Sequence, residues 1–181
     1  MFFEDEHGGF LQAELGNEAT PFSGQKQVYD GAVPSGNSMM VHNLFRLGIS
    51  AQRNDFLESG MRAIYSFGKQ IEQYSAGFAW MLSALDFFTG SRQEIVIKGE
   101  KDNLFVQIVT ERLHQEFLPS SVIIYVDNDS KVPVHIEQFE KDGNDAAIFV
   151  CENYHCNIPM TTIEQFDEFI RSESTYQGIS K

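Results

Sequence analysis

Basic residues are scarce in this sequence: 13 Lys and Arg stand against 26 Asp and Glu, for a formal net charge of −13. Nucleic acids and anionic membrane faces are held by basic footprints, so neither is an expected partner. Cysteine occurs twice in 181 residues, too few to cross-link a small secreted scaffold. The longest convincing uncharged run, Gln73 to Leu85, is shorter than the roughly 20 residues that span a bilayer. The opening Met-Phe-Phe-Glu-Asp-Glu has no basic n-region, so no signal peptide is expected and the expected location is the cytoplasm. No Gly-x-Gly-x-x-Gly, no Walker loop and no Gly-x-Ser-x-Gly elbow occurs, which removes the usual dinucleotide, nucleotide and hydrolase signatures. No cofactor is expected.

What is present is apolar material enough for a core, 42% of residues with 16 Phe, in one domain or two small ones. The chain is organised around Tyr29-Asp30-Gly31-Ala32-Val33-Pro34-Ser35-Gly36-Asn37-Ser38. Pro34 fixes φ, Gly36 is free to take positive φ, and Ser35, Asn37 or Ser38 can cap the helix that follows. Before it, residues 1–34 read as an irregular or extended arm, with a hairpin near Glu6-His7-Gly8-Gly9.

Residues 35–90 read as helical. Met40, Val41, Leu44 and Leu47 recur at helical steps, a second helix follows an Asn54 or Asp55 cap and runs past Gly68 to Ile71, and a third spans about Phe78 to Phe88. That third helix has few polar residues and is expected to be covered on several sides. Residues 92–172 read as a small α/β subdomain. Glu94–Gly99, Ser121–Val126 and Ala146–Cys151 are β-branched or apolar runs, and an amphipathic helix from Phe105 to Phe117 joins the first two. Strand, helix, strand with short joins predicts a parallel βαβ unit. A polar connection occupies Lys131 to Asp145, Thr161 or Thr162 caps a last helix, and residues 173–181 form a fraying tail. The fold class is thus mixed α and α/β, with a three-stranded sheet.

Two constellations can carry chemistry. Cys151-Glu152-Asn153-Tyr154-His155-Cys156 spaces its cysteines too widely for a thioredoxin Cys-x-x-Cys. Ordinary reduced thiols in a strand-end loop are the first expectation; a redox pair is the second. A metal site on Cys151, His155 and Cys156, with His135 as a fourth ligand, is the third. The other constellation sets carboxylates near aromatics: Asp30 after Tyr29, and Asp86 after Trp80. Sugar sites combine acids with stacking rings, so Tyr29, Asp30, Ser35, Asn37, Trp80 and Asp86 are the ligand-binding candidates, with structural roles as the plainer alternative. His42 and His114 are expected on solvated helix faces.

Tyr29 to Ser38, then Trp80-Met81-Leu82-Ser83-Ala84-Leu85-Asp86, then Val150-Cys151-Glu152-Asn153 through Cys156 and Pro159-Met160-Thr161-Thr162, occur in that order. This resembles the C-terminal portion of the spermatogenesis-associated thioredoxin-domain proteins and their bacterial relatives, over nearly the whole chain. The resemblance implies a longer architecture: a thioredoxin-like domain, then an (α/α)6 toroid similar to those of N-acylglucosamine 2-epimerases and six-hairpin glycosidases. Residues 1–90 would be the end of the toroid and 92–172 its α/β appendage. The thioredoxin-like domain and its Cys-x-x-Cys are missing here, and about three helices cannot close the ring. A carbohydrate ligand, and either a homo-oligomer or a partner chain supplying the missing toroid helices, are the partners this implies. The competing expectation is a non-catalytic assembly or binding module.

Overall fold

The computed structural model describes residues 7–13, 24–127, 146–152 and 155–176. The chain divides into two units, Met1–Gly90 and Ser91–Lys181.

In the first unit, α1 (Gly36–Ser50), α2 (Asn54–Ser66), α3 (Gly68–Gln73) and α4 (Ala79–Thr89) follow one another, with a 3-10 turn over Ser75–Phe78. Helix α1 packs on both α2 and α4. Its inward stripe, Val41, Leu44, Phe45 and Ile49, meets Ala63 and Ile64 of α2 and Met81, Ala84 and Phe87 of α4 in the buried core. The Phe45 ring stacks on Phe88 at 4.4 Å between centroids, and the Arg46 guanidinium lies 4.4 Å over Phe87. The α1–α2 contact is close because glycines open it on both sides. A Cβ on Gly48 would fall 2.5 Å from Leu57, and one on Gly60 would fall 2.6 Å from the Phe45 ring.

Two helix expectations change in the structure. The second helix does not run through to Ile71 but stops at Phe67, whose φ and ψ of −104° and 4° divide α2 from α3. Phe67 is buried there, so tertiary packing of one ring overrides a continuous local pattern. Helix α4 is covered mainly on one side: Met81, Ala84 and Phe87 are buried, while Trp80 stays 42% exposed. Of the arm, residues 7–13 and 24–30 are described; Gln12 donates its backbone N–H to Gln25 O at 2.9 Å, and Gly8 and Gly9 both take positive φ.

In the second unit, β1 (Gln93–Gly99), α5 (Leu104–Gln115), β2 (Ser121–Val126), β3 (Ala146–Glu152), β4 (His155–Cys156) and α6 (Ile163–Tyr176) form an α/β layer. The sheet order is β2-β1-β3-β4. As the βαβ pattern predicts, β1 pairs parallel with β2, from Gln93 opposite Ser121 to Lys98 opposite Val126. β3 lies on the other side of β1 and runs antiparallel, with Val96 opposite Phe149. The sheet has four strands rather than three, because the two-residue β4 folds back on the end of β3. A strand that short has no periodicity to read. Helices α5 and α6 share one face of the sheet, closing over Ile95, Ile97, Ile148 and Val150 with Val106, Val109, Leu113 and Phe166. The other face, with Val96, Val126, Ala147, Phe149 and Cys151, is buried as well. Burial on both faces is what makes the strands read as continuous apolar runs.

Local signals set the element ends. Asn103 caps α5 by accepting from Phe105 N at 2.9 Å. Thr162 and Gln165 form a reciprocal capping box at the start of α6, Gln165 N donating to Thr162 Oγ1 and Gln165 Oε1 accepting from the N–H groups of Thr161 and Thr162. Arg112 of α5 pairs with Asp167 of α6. Helix α6 passes Ser172, where the tail was expected to begin, and continues to Tyr176. The connection Lys131 to Asp145, including His135, lies outside the described residues, and no helix among those described is long and apolar enough to cross a membrane.

The glycine notch gives a direct test. Gly60→Ala improves helix propensity yet forces its methyl into the fully buried Phe45 ring. The net expected loss is about 1–2 kcal/mol of unfolding free energy, read from urea denaturation. An unchanged midpoint would show that the α1–α2 contact is looser than described.

Candidate functional site

Five of the six ligand-binding candidates converge where α1 and α4 begin. Ser35 is the N-cap of α1: its Oγ accepts from Ser38 N at 3.1 Å and lies 2.9 Å from Ser38 Oγ. Asn37, 2% exposed, is not a cap. Its Oδ1 accepts from Phe10 N at 2.7 Å, and its Nδ2 donates to Phe10 O at 3.0 Å and to Gln27 O at 2.7 Å. One buried amide thereby fastens two segments of the arm to α1.

Asp30 plays the same part for α4. The residue at the α4 N-cap position, Phe78, has no side-chain bond to give. Asp30 Oδ2 instead accepts from Trp80 N at 2.9 Å and Met81 N at 3.3 Å, fifty residues away in sequence. Its Oδ1 accepts from Ser35 N at 2.8 Å, and its backbone N–H donates to Gly77 O at 2.8 Å. A carboxylate at a helix start satisfies free amides and complements the helix dipole. The Tyr29 ring stacks on Tyr74, 6.0 Å between centroids and 9° between planes, and the Tyr74 hydroxyl raises the Tyr29 phenol above its ordinary pKa. Gly77 is required beneath that ring: a Cβ there would fall 2.3 Å from it.

Asp86 stays apart. It is exposed near the C-terminal end of α4, where its backbone carbonyl receives Gly90 N at 2.8 Å. Six residues of helix separate it from Trp80, a rise of roughly 9 Å. The structure does not join Asp30 and Asp86 into a pair of acids around one substrate.

His42 is the residue that the sequence reading placed wrongly. It is half-buried rather than solvated, its ring 4.8 Å from that of Trp80. Its Nε2 lies 3.0 Å from Ser83 Oγ, which has the look of a nucleophile and its base. The same Nε2 also lies 3.0 Å from the Trp80 carbonyl. A carbonyl only accepts, so Nε2 carries the proton, and Ser83 Oγ donates to that carbonyl at 2.8 Å. A protonated nitrogen cannot take the serine proton, so the pair is a structural contact. The sequence held no sign of it because 41 residues separate the partners.

The cysteine constellation is also resolved. Cys151 and Cys156 are joined by a disulfide, so the expectation of reduced thiols is corrected. They sit directly opposite each other on β3 and β4, which places the two side chains together. Bonded sulfurs are not thiolate ligands, and among the described residues no group of three or more His, Cys, Asp or Glu can hold a metal ion. His155 is exposed, opposite Glu152, and the fourth expected ligand His135 lies outside the described residues.

In the second unit, residues of α5 and β2 with Lys101 line an open cavity of about 510 Å³. The Thr110 hydroxyl there is buried without a partner, and the Tyr125 hydroxyl donates to Gly99 O at 2.7 Å. Burial raises the Tyr125 phenol above its ordinary value, with Asp127, Glu100 and Asp102 adding to it.

No family model matches the chain. Among known proteins it is similar to human spermatogenesis-associated protein 20, 27% identical over 168 residues, which is 89% of this chain and 21% of that one. The rat and mouse proteins of the same name are 26% and 25% identical over the same shares. The chain is a homologue of spermatogenesis-associated protein 20. It spans about a fifth of the length of these curated relatives. The resemblance read from the sequence motifs is therefore shown for the relationship. Spermatogenesis-associated protein 20 carries in its name no reaction that could be transferred here.

Two tests follow from this geometry. Asn37→Ala strands the buried Phe10 N–H and two carbonyls, and should lower unfolding free energy by about 3 kcal/mol, against about 1–2 kcal/mol for Ser35→Ala, which loses the cap bond to Ser38 N and the contact with Ser38 Oγ. Equal losses in thermal or urea unfolding would contradict the division of roles. Burial, the largest cause, and the Arg46 charge lower the His42 pKa below 6.5, against the Trp80 carbonyl and Asp30, which raise it. The unfolded chain then binds more protons than the folded one just below pH 6.5, so stability rises with pH through that window. The His42 contribution is complete above the ordinary value and is lost as pH falls toward the folded one. Unfolding midpoints measured between about pH 5.5 and 7.5 should slope less steeply in His42→Gln than in the parent; identical slopes would remove His42 as the cause.

Proposed function

We propose that this chain is a non-catalytic assembly module: the last helical hairpins and the α/β appendage of a larger toroid of the spermatogenesis-associated protein 20 type. The observation that carries this reading is the direction in which the signature residues face. Asp30 and Asn37, the polar heart of the Tyr29–Ser38 motif, direct their side chains at backbone groups of the chain itself. Rings and aliphatic side chains are what the same region offers to a partner. Val33 is 71% exposed, Tyr29, Met39, Tyr74 and Trp80 are each largely exposed around the clasp, and Leu47 stands two turns farther along α1. Trp80 Nε1 even donates to Met39 Sδ at 3.1 Å, for want of a better acceptor.

An apolar patch of several hundred Å² is unusual on a solitary monomer. The curated relatives are about four times the length of the chain, 89% of this chain matching 21% of theirs, and further toroid helices are the occupant this reading assigns to the patch. Carbohydrate processing is not the preferred reading, because both Asp30 carboxylate oxygens are already taken by backbone amides of the chain.

Without those helices, a second copy should cover the patch, in a two-fold contact burying at least about 1,200 Å². Light scattering of the purified chain at low micromolar concentration should give a dimer mass, and Val33→Asp with Leu47→Lys should return it to the monomer. A parent chain that is already monomeric and binds no hydrophobic dye would overturn the assembly reading.

A further inference from the structure

The disulfide lies where the sheet is weakest. β4 contributes two residues, Cys156 opposite Cys151 and His155 opposite Glu152. Beyond it the outer edge of β3 is held by Asn157 N donating to Val150 O at 2.9 Å and by the reciprocal bonds between Ile148 and Met160, each 2.9 Å. The bonded cysteines are five residues apart and already neighbours through backbone pairing. A link that closes so short a loop removes little freedom from the unfolded chain. The two sulfurs are also unequal. Cys151 is 1% exposed among Val96, Ala147 and Phe149, whereas Cys156 is part-exposed on the outermost strand.

We propose that Cys151–Cys156 is a thiol–disulfide exchange site for a dithiol reductant, and that its reduction releases β4 and uncovers the outer edge of β3. The reductant's thiolate attacks Cys156 Sγ, the sulfur within reach, and forms a mixed disulfide as the Cys151–Cys156 bond breaks. The bonding pair leaves on Cys151 Sγ, which takes a proton and settles as a thiol in its apolar pocket, where a reduced cysteine behaves as a small hydrophobe. The reductant's second thiol, losing its proton, then attacks its own half of the mixed disulfide, and Cys156 departs and is protonated. Two electrons and two protons pass from the dithiol, now a disulfide, to the two cysteines. The inequality of the sulfurs sets this order. The brevity of β4 sets the result: with the covalent tie gone, two register pairs and a few edge bonds hold the strand. An exposed strand edge is a template for another strand, so the redox state decides whether β3 presents one. This site is independent of the assembly surface in the first unit.

The test uses the full chain, air-oxidised, in native buffer. Without reductant, a maleimide should add to neither cysteine. With millimolar dithiothreitol and excess maleimide, one addition, at Cys156, should appear by mass spectrometry within minutes and without denaturant, Cys151 reacting only once denaturant is added. Hydrogen exchange at the Asn157 and Met160 amides should then quicken at least tenfold, while the β1 amides of Ile95 and Ile97 stay protected. Cys156→Ser, measured without reductant, should show the same faster exchange. Two additions to the oxidised chain, reduction that needs denaturant, or unchanged exchange at Asn157 and Met160 after reduction would each overturn the proposal.

Discussion

The carboxylate of Asp30 is the interaction on which the first unit depends. Helix α4 begins without a capping side chain of its own, and four amides at any helix start must find acceptors. Asp30 supplies them from across the unit, receiving Trp80 N and Met81 N on one oxygen and Ser35 N on the other. This ties together the start of α4, the start of α1 and the loop between them and the arm. Asn37 repeats the device one step away, holding Phe10 and Gln27. With both in place the loop that looks most like a binding site has little polar capacity left over.

How much of this was legible depends on how far apart the partners are. The parallel β1–β2 pair was readable because two β-branched runs and a helix of crossover length lie within about thirty residues, and few topologies satisfy that order. The antiparallel placement of β3 was not, because an intervening stretch says nothing about which edge of β1 the strand takes. The caps Ser35, Asn103 and Thr162 were visible as local chemistry. The break at Phe67 was hidden, since a buried ring rather than a Gly or Pro interrupts the pattern. The same divide runs through the candidate site. Sequence order named Tyr29, Asp30, Ser35, Asn37 and Trp80 together, yet apart from the Ser35 cap their roles depend on partners as far as 27 to 51 residues off. The Ser83–His42 contact has no local trace at all, whereas the cysteine pair, five residues apart, was among the expectations without its strand opposition.

The two units place their chemistry differently. In the α/β unit the turn from β1 into α5 reads Gly99-Glu100-Lys101-Asp102-Asn103 and carries no cysteine. Its sulfur pair lies instead at the Cys151 end of β3, opposite the Glu94 end of β1. In an arrangement with Gly99 at one end of β1 and the disulfide near the other, the fold cannot bring the sulfur to the α5 N-terminus, where a helix start would stabilise a thiolate. Topology alone therefore carries no redox activity here. What the sulfur pair can act on is the β3 edge beside it.

In the first unit the usual distribution of side chains is inverted around the motif. Its carboxylate and amide are turned to the backbone, while Tyr29, Tyr74, Met39 and Trp80 face outward. Directional groups confer specificity for a small ligand because each must meet a partner of fixed geometry. Apolar area has no such direction and gains free energy roughly in proportion to what it covers. A region whose directional groups are consumed internally and whose outward groups are rings is thus suited to packing against more protein. That contrast, argued from Asp30 and Trp80 side by side, separates an assembly surface from a catalytic mouth on the same loop.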